Sequence, residues 1–504
     1  MDTKATRRRF LKAACAAYGA ACVSRETFAF VPQSQPAQDP RRPQFHLLPT
    51  HNWMNDPNGP IYFAGKYHMF FQYNPEAAVW GNMSWNHAVS DDMLHWSNYP
   101  VAFTMTPGSA DGAGCFSGST MADDLSGKPR VYAIYTGVVR DKAHETIRNE
   151  GLRESQCLAW SDDPMLRLWS KLPKPVIPNP PSDFAVTGFR DPSMWKQDRS
   201  YFMTVGSGIE KVGGCVLLYR STNLMEWEYL HPLVTGTWNG VSTPNPVDDG
   251  EMWECPEFFP LDDGHVLIYS TMGKVFWQSG SLDQGTMKFE PRKSGLLDLD
   301  AFYAPKTQLD ARGRRILWGW IRERRTDAEM TKAGWAGMMS LPRVLNLDPD
   351  GTLRMQVLPQ TESLRSESIL QQKGTADSVR TIPRATGEVL CVGKEGSNIE
   401  FCACLGTTEL VRVSYSAEQH SWLADGQNYP LQPSDLPKVH AFIDGSVIEL
   451  MLSERIGYTK RFYYSGVLAP DITIRASGAG VTLKAWKISP ISTNRLTTIG
   501  PFAS

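Results

Sequence analysis

The chain has 504 residues, too many for one ordinary hydrophobic core, so two domains are expected. Hydrophobic residues make up 41% and charged residues 21%, the balance of a soluble globular protein, and a net charge of -2 gives no basis for a nucleic-acid or anionic-membrane partner. The 16 Trp, 17 Tyr and 21 Phe suit stacking on sugar faces, but they equally suit an all-β protein whose sheets pack on aromatic side chains.

The first residues read as an export leader. Arg7-Arg8-Arg9-Phe10-Leu11-Lys12 is a twin-arginine pattern, an interrupted apolar run follows from Ala13 to Val23, and Thr27-Phe28-Ala29 resembles a small-x-small cleavage site. The run is too short to span a bilayer stably. Residues 1–29 are therefore expected to be a signal peptide, with a periplasmic or extracellular mature protein. Residues 30–44 read as a Gln/Pro-rich linker before order begins near Phe45. Cys22 follows Gly19-Ala20-Ala21, which admits a lipid anchor, but the usual branched residue three positions earlier is missing. With Cys15 and Cys22 in the leader, the remaining cysteines are sparse and unpatterned, which argues against a disulfide framework. Cys402-Ala403-Cys404 is too tight to clip a metal and reads as strand alternation. With no CxxC pair or HExxH, no metal is expected.

Five β-rich segments then recur at intervals of roughly 50–70 residues. They are Lys66–Phe71, Arg130–Tyr135, Ser200–Val205, His265–Tyr269 and Arg314–Trp318, each bounded by turn or polar residues. After the first three comes a Leu/Trp element: Asp92–Trp96, Met165–Trp169 and Asn223–Trp227. Repeats of this length with few helical stretches indicate propeller blades, and five of them predict an all-β fold with a five-bladed propeller over 45–350. After a hinge around Leu358 to Ser366 the character changes. Trp becomes rare and short alternating strands predict a β-sandwich over 360–497, without a catalytic constellation of its own.

A propeller's innermost strands line its central channel, and here they precede the repeated strands. That places Asp56, Ser117, Asp191, Glu254 and Tyr303, one polar residue per repeat, toward one axial pocket. Three of the five are acids. Glycoside hydrolysis needs two carboxyl groups in opposite protonation states, one to attack and one to protonate the departing oxygen. A nearby Asp56 carboxylate helps keep Glu254 protonated, and Arg190 beside Asp191 favours the ionised form of Asp191.

Trp53-Met54-Asn55-Asp56-Pro57-Asn58-Gly59, Phe189-Arg190-Asp191-Pro192 and Trp253-Glu254-Cys255-Pro256 resemble the three signature motifs of glycoside hydrolase family 32, the invertases, levanases, inulinases and other β-fructofuranosidases. The resemblance extends to Phe71–Pro75, Trp80-Gly81, Phe116–Ser119, Phe302–Pro305, Leu317–Trp320, Gly334–Gly337 and Leu341-Pro342-Arg343. In the second domain it includes Asp444-x-Ser446-x-x-Glu449. It implies Asp56 as nucleophile, Glu254 as general acid and then base, and Asp191 as holder of the fructosyl 3- and 4-hydroxyls. Asn55, Gln72, Trp80, Phe116, Ser117, Arg190, Cys255, Tyr303 and Trp320 would line the sugar pocket, with no cofactor. One departure is Asn86, where the family usually has glycine. It implies either a reshaped pocket wall or a left-handed turn.

The resemblance implies a retaining hydrolase that releases terminal fructose from sucrose or fructans. A fructosyltransferase on the same scaffold differs in the acceptor alone. A non-catalytic fructan-binding protein would have no use for a nucleophile and acid pair. A five-bladed arabinan or xylan hydrolase also uses three acids but lacks the Trp53–Gly59 context.

Overall fold

The computed structural model describes residues 36–148, 150–492 and 498–499. The twin-arginine leader, its cleavage site and Cys22 lie outside these residues. The fold is all-β with a propeller-like arrangement. Five times, four strands pair in antiparallel succession. The first three groups are β1 (Asn52–Phe63), β2 (Lys66–Asn74), β3 (Ser84–Ser90) and β4 (Trp96–Phe103); β5 (Gly114–Asp123), β6 (Arg130–Arg140), β7 (Leu152–Ser161) and β8 (Ser170–Lys171); and β9 (Val186–Gln197), β10 (Ser200–Ile209), β11 (Gly213–Ser221) and β12 (Glu228–Thr235). The fourth group is β13 (Glu254–Leu261), β14 (Gly264–Thr271), β15 (Lys274–Asp283) and β16 (Lys288–Asp298). In the fifth, β17 (Phe302–Leu309) and β18 (Arg315–Ile321) are followed by two short strands, β19 (Trp335–Ala336) and β20 (Met338–Met339), and completed by β21 (Arg343–Leu347) and β22 (Leu353–Val357).

Burial follows strand position. In β2, β6 and β10 nearly every residue is buried on both faces, which explains their unbroken β-branched and aromatic character. The outer strand β12 is mostly half-exposed. Each first strand packs against the next, and β17 returns to β1, closing a ring of five inner strands.

The Leu/Trp elements are one recurring turn between third and fourth strands. Met93, Leu166 and Leu224 take φ of 67°, 53° and 65°, and Trp96, Trp169 and Trp227 donate their indole N–H to the carbonyls of those same residues. Asp92, Asp163 and Asn223 side chains accept from backbone N–H groups within the turn.

Three expected boundaries move. Residues 36–44 are not a free tether: Trp335 donates to Asp39 at 3.0 Å, and Arg42 is fully buried beside the Trp335 ring. The first region does not stop at 350, because Gly351 makes a tight turn with Asp348 and sends the chain back as β22 beside β21. The segment read as a hinge is a packed connector, with Leu358, Thr361 and Leu364 buried.

The remaining chain forms β23 (Arg365–Ile382), β24 (Thr386–Val392), β25 (Ile399–Leu405), β26 (Thr408–Ser416), β27 (Ser421–Ala424), β28 (Gln427–Pro430), β29 (Lys438–Asp444), β30 (Val447–Leu452), β31 (Ile456–Arg461) and β32 (Ile472–Ile488). β32 pairs with β23, β24 and β25, gathering these strands on one core that includes Phe401, Trp422, Ile443, Leu450 and Ile474. A single residue pair, Asp298 with Gly457, links β16 to β31. Among the described residues no helix is long and apolar enough to cross a membrane.

Candidate active site

Each inner strand breaks register with its neighbour at one equivalent place: between Met54 and Pro57, Cys115 and Gly118, Arg190 and Ser193, Glu254 and Glu257, and Tyr303 and Lys306. Pro57, Pro192, Pro256 and Pro305 mark four of these bulges, because proline cannot donate to a strand ladder. Gly118 marks the fifth, where a Cβ would lie 2.0 Å from the Ile134 carbonyl oxygen. At Asp191, Cys255 and Ala304 the backbone is left-handed, with φ of 62°, 50° and 52°. Such strained backbone in non-glycine residues clusters at functional sites.

The bulges correct the expected alignment. Asp56, Ser117, Asp191, Cys255 and Ala304 are equivalent, each one residue before the proline or glycine. Asn55, Phe116, Arg190, Glu254 and Tyr303 occupy the preceding position. The five polar residues placed in one ring thus belong to two adjacent rings, because a bulge turns consecutive side chains toward one centre.

The three acids are held differently. Asp56, half-buried, accepts from Asn55 Nδ2 at 3.0 Å and Ser117 Oγ at 2.6 Å. Trp53 Nε1 in turn donates to Asn55 at 2.7 Å. Asp191 is buried. Its backbone N–H donates to Thr136 Oγ1 and its carboxylate accepts from the Cys255 N–H at 3.0 Å. Glu254 is buried; Arg190 donates to Oε1 through Nε at 2.9 Å and Nη2 at 2.8 Å, and Tyr303 Oη donates to Oε2 at 2.7 Å. Burial and the neighbouring Glu254 push the Tyr303 phenol well up, so it stays a donor.

Arg190 also binds Glu154 at 3.1 Å, so its guanidinium forms ion pairs with both glutamates, while its charge interacts favourably with the ionised form of Asp191. Glu154 is fully buried and additionally accepts from Thr146 Oγ1 and the Phe189 N–H. The sequence reading missed both Glu154 and Thr136. A lone acid in the otherwise buried strand Leu152–Ser161 was the available signal.

Cys255 lies between the carboxylates, with Sγ 3.4 Å from Asp191 Oδ2 and 3.7 Å from Asp56 Oδ2. Together they present ligand-type atoms within 4.8 Å of one another, the one such cluster among the described residues. Burial and then the charges of Asp191 and Asp56 drive the thiol pKa well up. In this protonated state the thiol can donate toward both carboxylates.

Aromatic residues flank the centre. Trp80 packs edge-on to Phe116, and Trp320 edge-on to Trp53, each with ring centroids 5.8 Å apart. Gln72 donates to the Cys115 carbonyl at 2.9 Å, bracing the second bulge. Asn86 does not make the left-handed turn: it sits in the extended strand β3 and donates to Asn98 at 3.3 Å. The arrangement brings a carboxyl group gripped by arginine and tyrosine together with a carboxylate held by serine and asparagine, the two parts that acid-assisted displacement at a sugar carbon requires.

Comparison with known proteins agrees. The model of the glycosyl hydrolases family 32 N-terminal domain matches residues 46–357. A sucrose-6-phosphate hydrolase of Escherichia coli is 32% identical over 445 residues, covering 82% of this chain and 87% of that protein. The GH32 β-fructofuranosidase BmSUC1 of Bombyx mori superposes with a TM-score of 0.75 at 27% identity, covering 91% of this chain and 96% of that one. Fructan 1-exohydrolase IIa of Cichorium intybus, solved with 1-kestose, superposes with a TM-score of 0.71 at 25% identity, covering 90% and 98%.

Proposed function

The chain belongs to glycoside hydrolase family 32, and we propose that it is a retaining glycosidase that releases terminal β-D-fructofuranosyl units from sucrose or fructans. In this reading Asp56 attacks the anomeric C2 while Glu254 protonates the departing glycosidic oxygen. The C2–O bond to the leaving sugar breaks as the C2–O bond to Asp56 forms. Glu254, now a base, takes a proton from water, which displaces Asp56 and frees fructose. Asp191 accepts the fructosyl hydroxyls and stabilises the positive charge that develops near C2.

One observation carries the reading: the two carboxyl groups are held by different partners suited to different tasks. Ser117 and Asn55 orient Asp56 as an anion. Around Arg190, two glutamates compete for one guanidinium, so a proton on one of them leaves the group neutral. That gives Glu254 access to the acid form despite its arginine partner. The names of the relatives, a sucrose-6-phosphate hydrolase, a β-fructofuranosidase and a fructan exohydrolase, support the substrate class.

The proposal extends to architecture and export. The five meanders are taken as five blades, the strands from β23 onward as a β-sandwich, and Arg7–Ala29 as a twin-arginine leader that delivers the folded enzyme outside the cytoplasm.

The test compares wild type and Glu254→Ala on sucrose, sucrose-6-phosphate, inulin and levan. Wild type is expected to liberate free fructose from at least one, and the variant to lose several powers of ten in turnover at unchanged melting temperature. Comparable fructose release by the variant removes Glu254 from its role. Lengthened oligosaccharides in place of fructose identify a transferase.

A further inference from the structure

Immediately after the bulge-marking proline or glycine, each inner strand carries one more buried polar residue: Asn58, Ser119, Ser193, Glu257 and Lys306. Each sits two residues past Asp56, Ser117, Asp191, Cys255 or Ala304, so together they form a layer next to the reacting centre, on the far side of the bulges. Glu257 is the hub of that layer. Its Oε1 accepts from Ser193 Oγ at 2.8 Å and from Lys306 Nζ at 3.0 Å, and its Oε2 accepts from the Thr307 N–H and Oγ1, both at 3.0 Å. Lys306 is 1% exposed and Glu257 5%.

A buried ion pair is a poor source of stability, since well-packed apolar residues of the same volume often serve as well or better. Its two charges therefore call for another use. The reacting centre supplies one. Asp56 and Asp191 present oxygens within 4.8 Å of each other, and carboxylates that close resist being ionised together. Arg190 makes its ion pairs with Glu254 and Glu154, and only the remainder of its field reaches Asp191. Burial works against the charge on Lys306, yet the charge of Glu257, its hydrogen bond and the charge of Asp191 hold the Lys306 pKa above the ordinary lysine value. The same field acts on Cys255 from the opposite side to Asp191 and Asp56 in sign.

We propose that Lys306 is a positioning residue whose buried ammonium lets Asp56 and Asp191 be ionised at the same time, one as nucleophile and the other as acceptor of sugar hydroxyls. This rests on the fructosyl-transfer reading above. The groups facing Lys306 are Glu257 and Cys255 from β13, Asp191 from β9 and its own neighbour Thr307; those facing Asp191 are Cys255, Asp56, Thr136 and, through space, Arg190 and Glu154.

The acid limb of kcat/KM reports ionisation of the carboxylates the free enzyme needs, so it is the readout. Lys306→Met is expected to raise that limb by about one pH unit, and Lys306→Arg to leave it in place. Glu257→Gln, which frees the ammonium from its counter-charge, moves the limb down. If Lys306→Met does not fold, the opposite shift in Glu257→Gln and the unmoved limb in Lys306→Arg carry the test. Active variants that lose melting temperature with the acid limb unmoved in both Lys306→Met and Glu257→Gln reduce the pair to packing and overturn the inference alone. A wild type that frees fructose from no fructoside at any pH overturns the inference and the functional reading together.

Discussion

The molecule gathers charge in two places and treats it in opposite ways. At the axial centre, five carboxyl groups (Asp56, Glu154, Asp191, Glu254 and Glu257) are gathered with two cations, Arg190 and Lys306, and all of the five but Glu154 lie on strands broken by bulges. The second place is the seam where residues 44–46 and β21 meet β29 to β31. There, three carboxylates (Asp298, Asp444 and Glu449) share Arg343 and His46, with every one of these side chains fully buried. Strands β29, β30 and β31 pair through the seam without a break in register. Backbone N–H groups of Gln44, Phe45, Leu341 and Thr459 also bind its carboxylates. A centre short of cations holds protons it can give away, whereas a seam close to charge balance holds the chain together.

The largest expected effect breaks the seam. Arg343 binds Asp298 at 3.1 Å, Glu449 at 2.5 Å and Thr459 at 3.0 Å. Arg343→Met strands two buried carboxylates and is expected to cost about 3–5 kcal/mol in denaturant unfolding, with the pH profile of the folded enzyme unmoved. A shifted profile at unchanged stability would mean that the seam belongs to the chemistry.

A second, smaller effect is the seam's dependence on pH. Burial works against a charge on His46, but hydrogen bonds and charges from Asp444 and Glu449 win and raise its pKa from 6.5 to about 9. A raised value means that the stabilisation is complete below 6.5 and is lost as pH climbs through about 9, on the order of 3 kcal/mol. Glu449 behaves in reverse. Burial would raise it, yet Arg343 and His46 depress it to about 2, so its contribution holds above 4.5 and fades as pH falls toward 2. Melting temperature should therefore be flat between these limits. His46→Gln should remove the alkaline decline.

How much of this was legible in sequence follows from the range of each interaction. The repeated strands and the Trp turns are local patterns of a few residues, and they were visible. So were the acids, because each sits in a run punctuated by proline. The one-residue offset of Glu254 and Tyr303 was not, since a bulge is a pairing fact and the proline that marks it was not used for alignment. Residues 36–44 looked like a tether by composition, yet their last residue, Gln44, donates to Asp444, and His46 just beyond them meets Asp444 and Glu449 at a sequence separation of some 400 residues. Arg190 interacts with its neighbour Asp191 as expected, but its ion pairs go to Glu154 and Glu254, which lie 36 and 64 residues away and could not be paired with it from sequence.

The smallest effect sharpens the comparison most, because it removes a charge from the centre without touching either reacting carboxyl group. Arg190 lies between Glu154 and Glu254, and burial pushes Glu154 up while Arg190 pulls it down, leaving it above the usual carboxylate value. Glu154→Gln keeps the shape and an oxygen for Thr146 Oγ1 and the Phe189 N–H but deletes the anion that competes for the guanidinium. Arg190 then faces Glu254 alone, and that pair is most stable with Glu254 ionised, which is useless for protonating a leaving group. The alkaline limb of fructose release should move down by about one pH unit, while the acid limb, set by Asp56 and Asp191, moves down by less, because Glu154 reaches Asp191 only through space. Stability should change little, because a buried carboxylate is replaced by a neutral amide of the same volume rather than left unpaired. A loss of stability with both limbs fixed would show the centre behaving as the seam does, and the division between charge kept for reaction and charge kept for cohesion would fall.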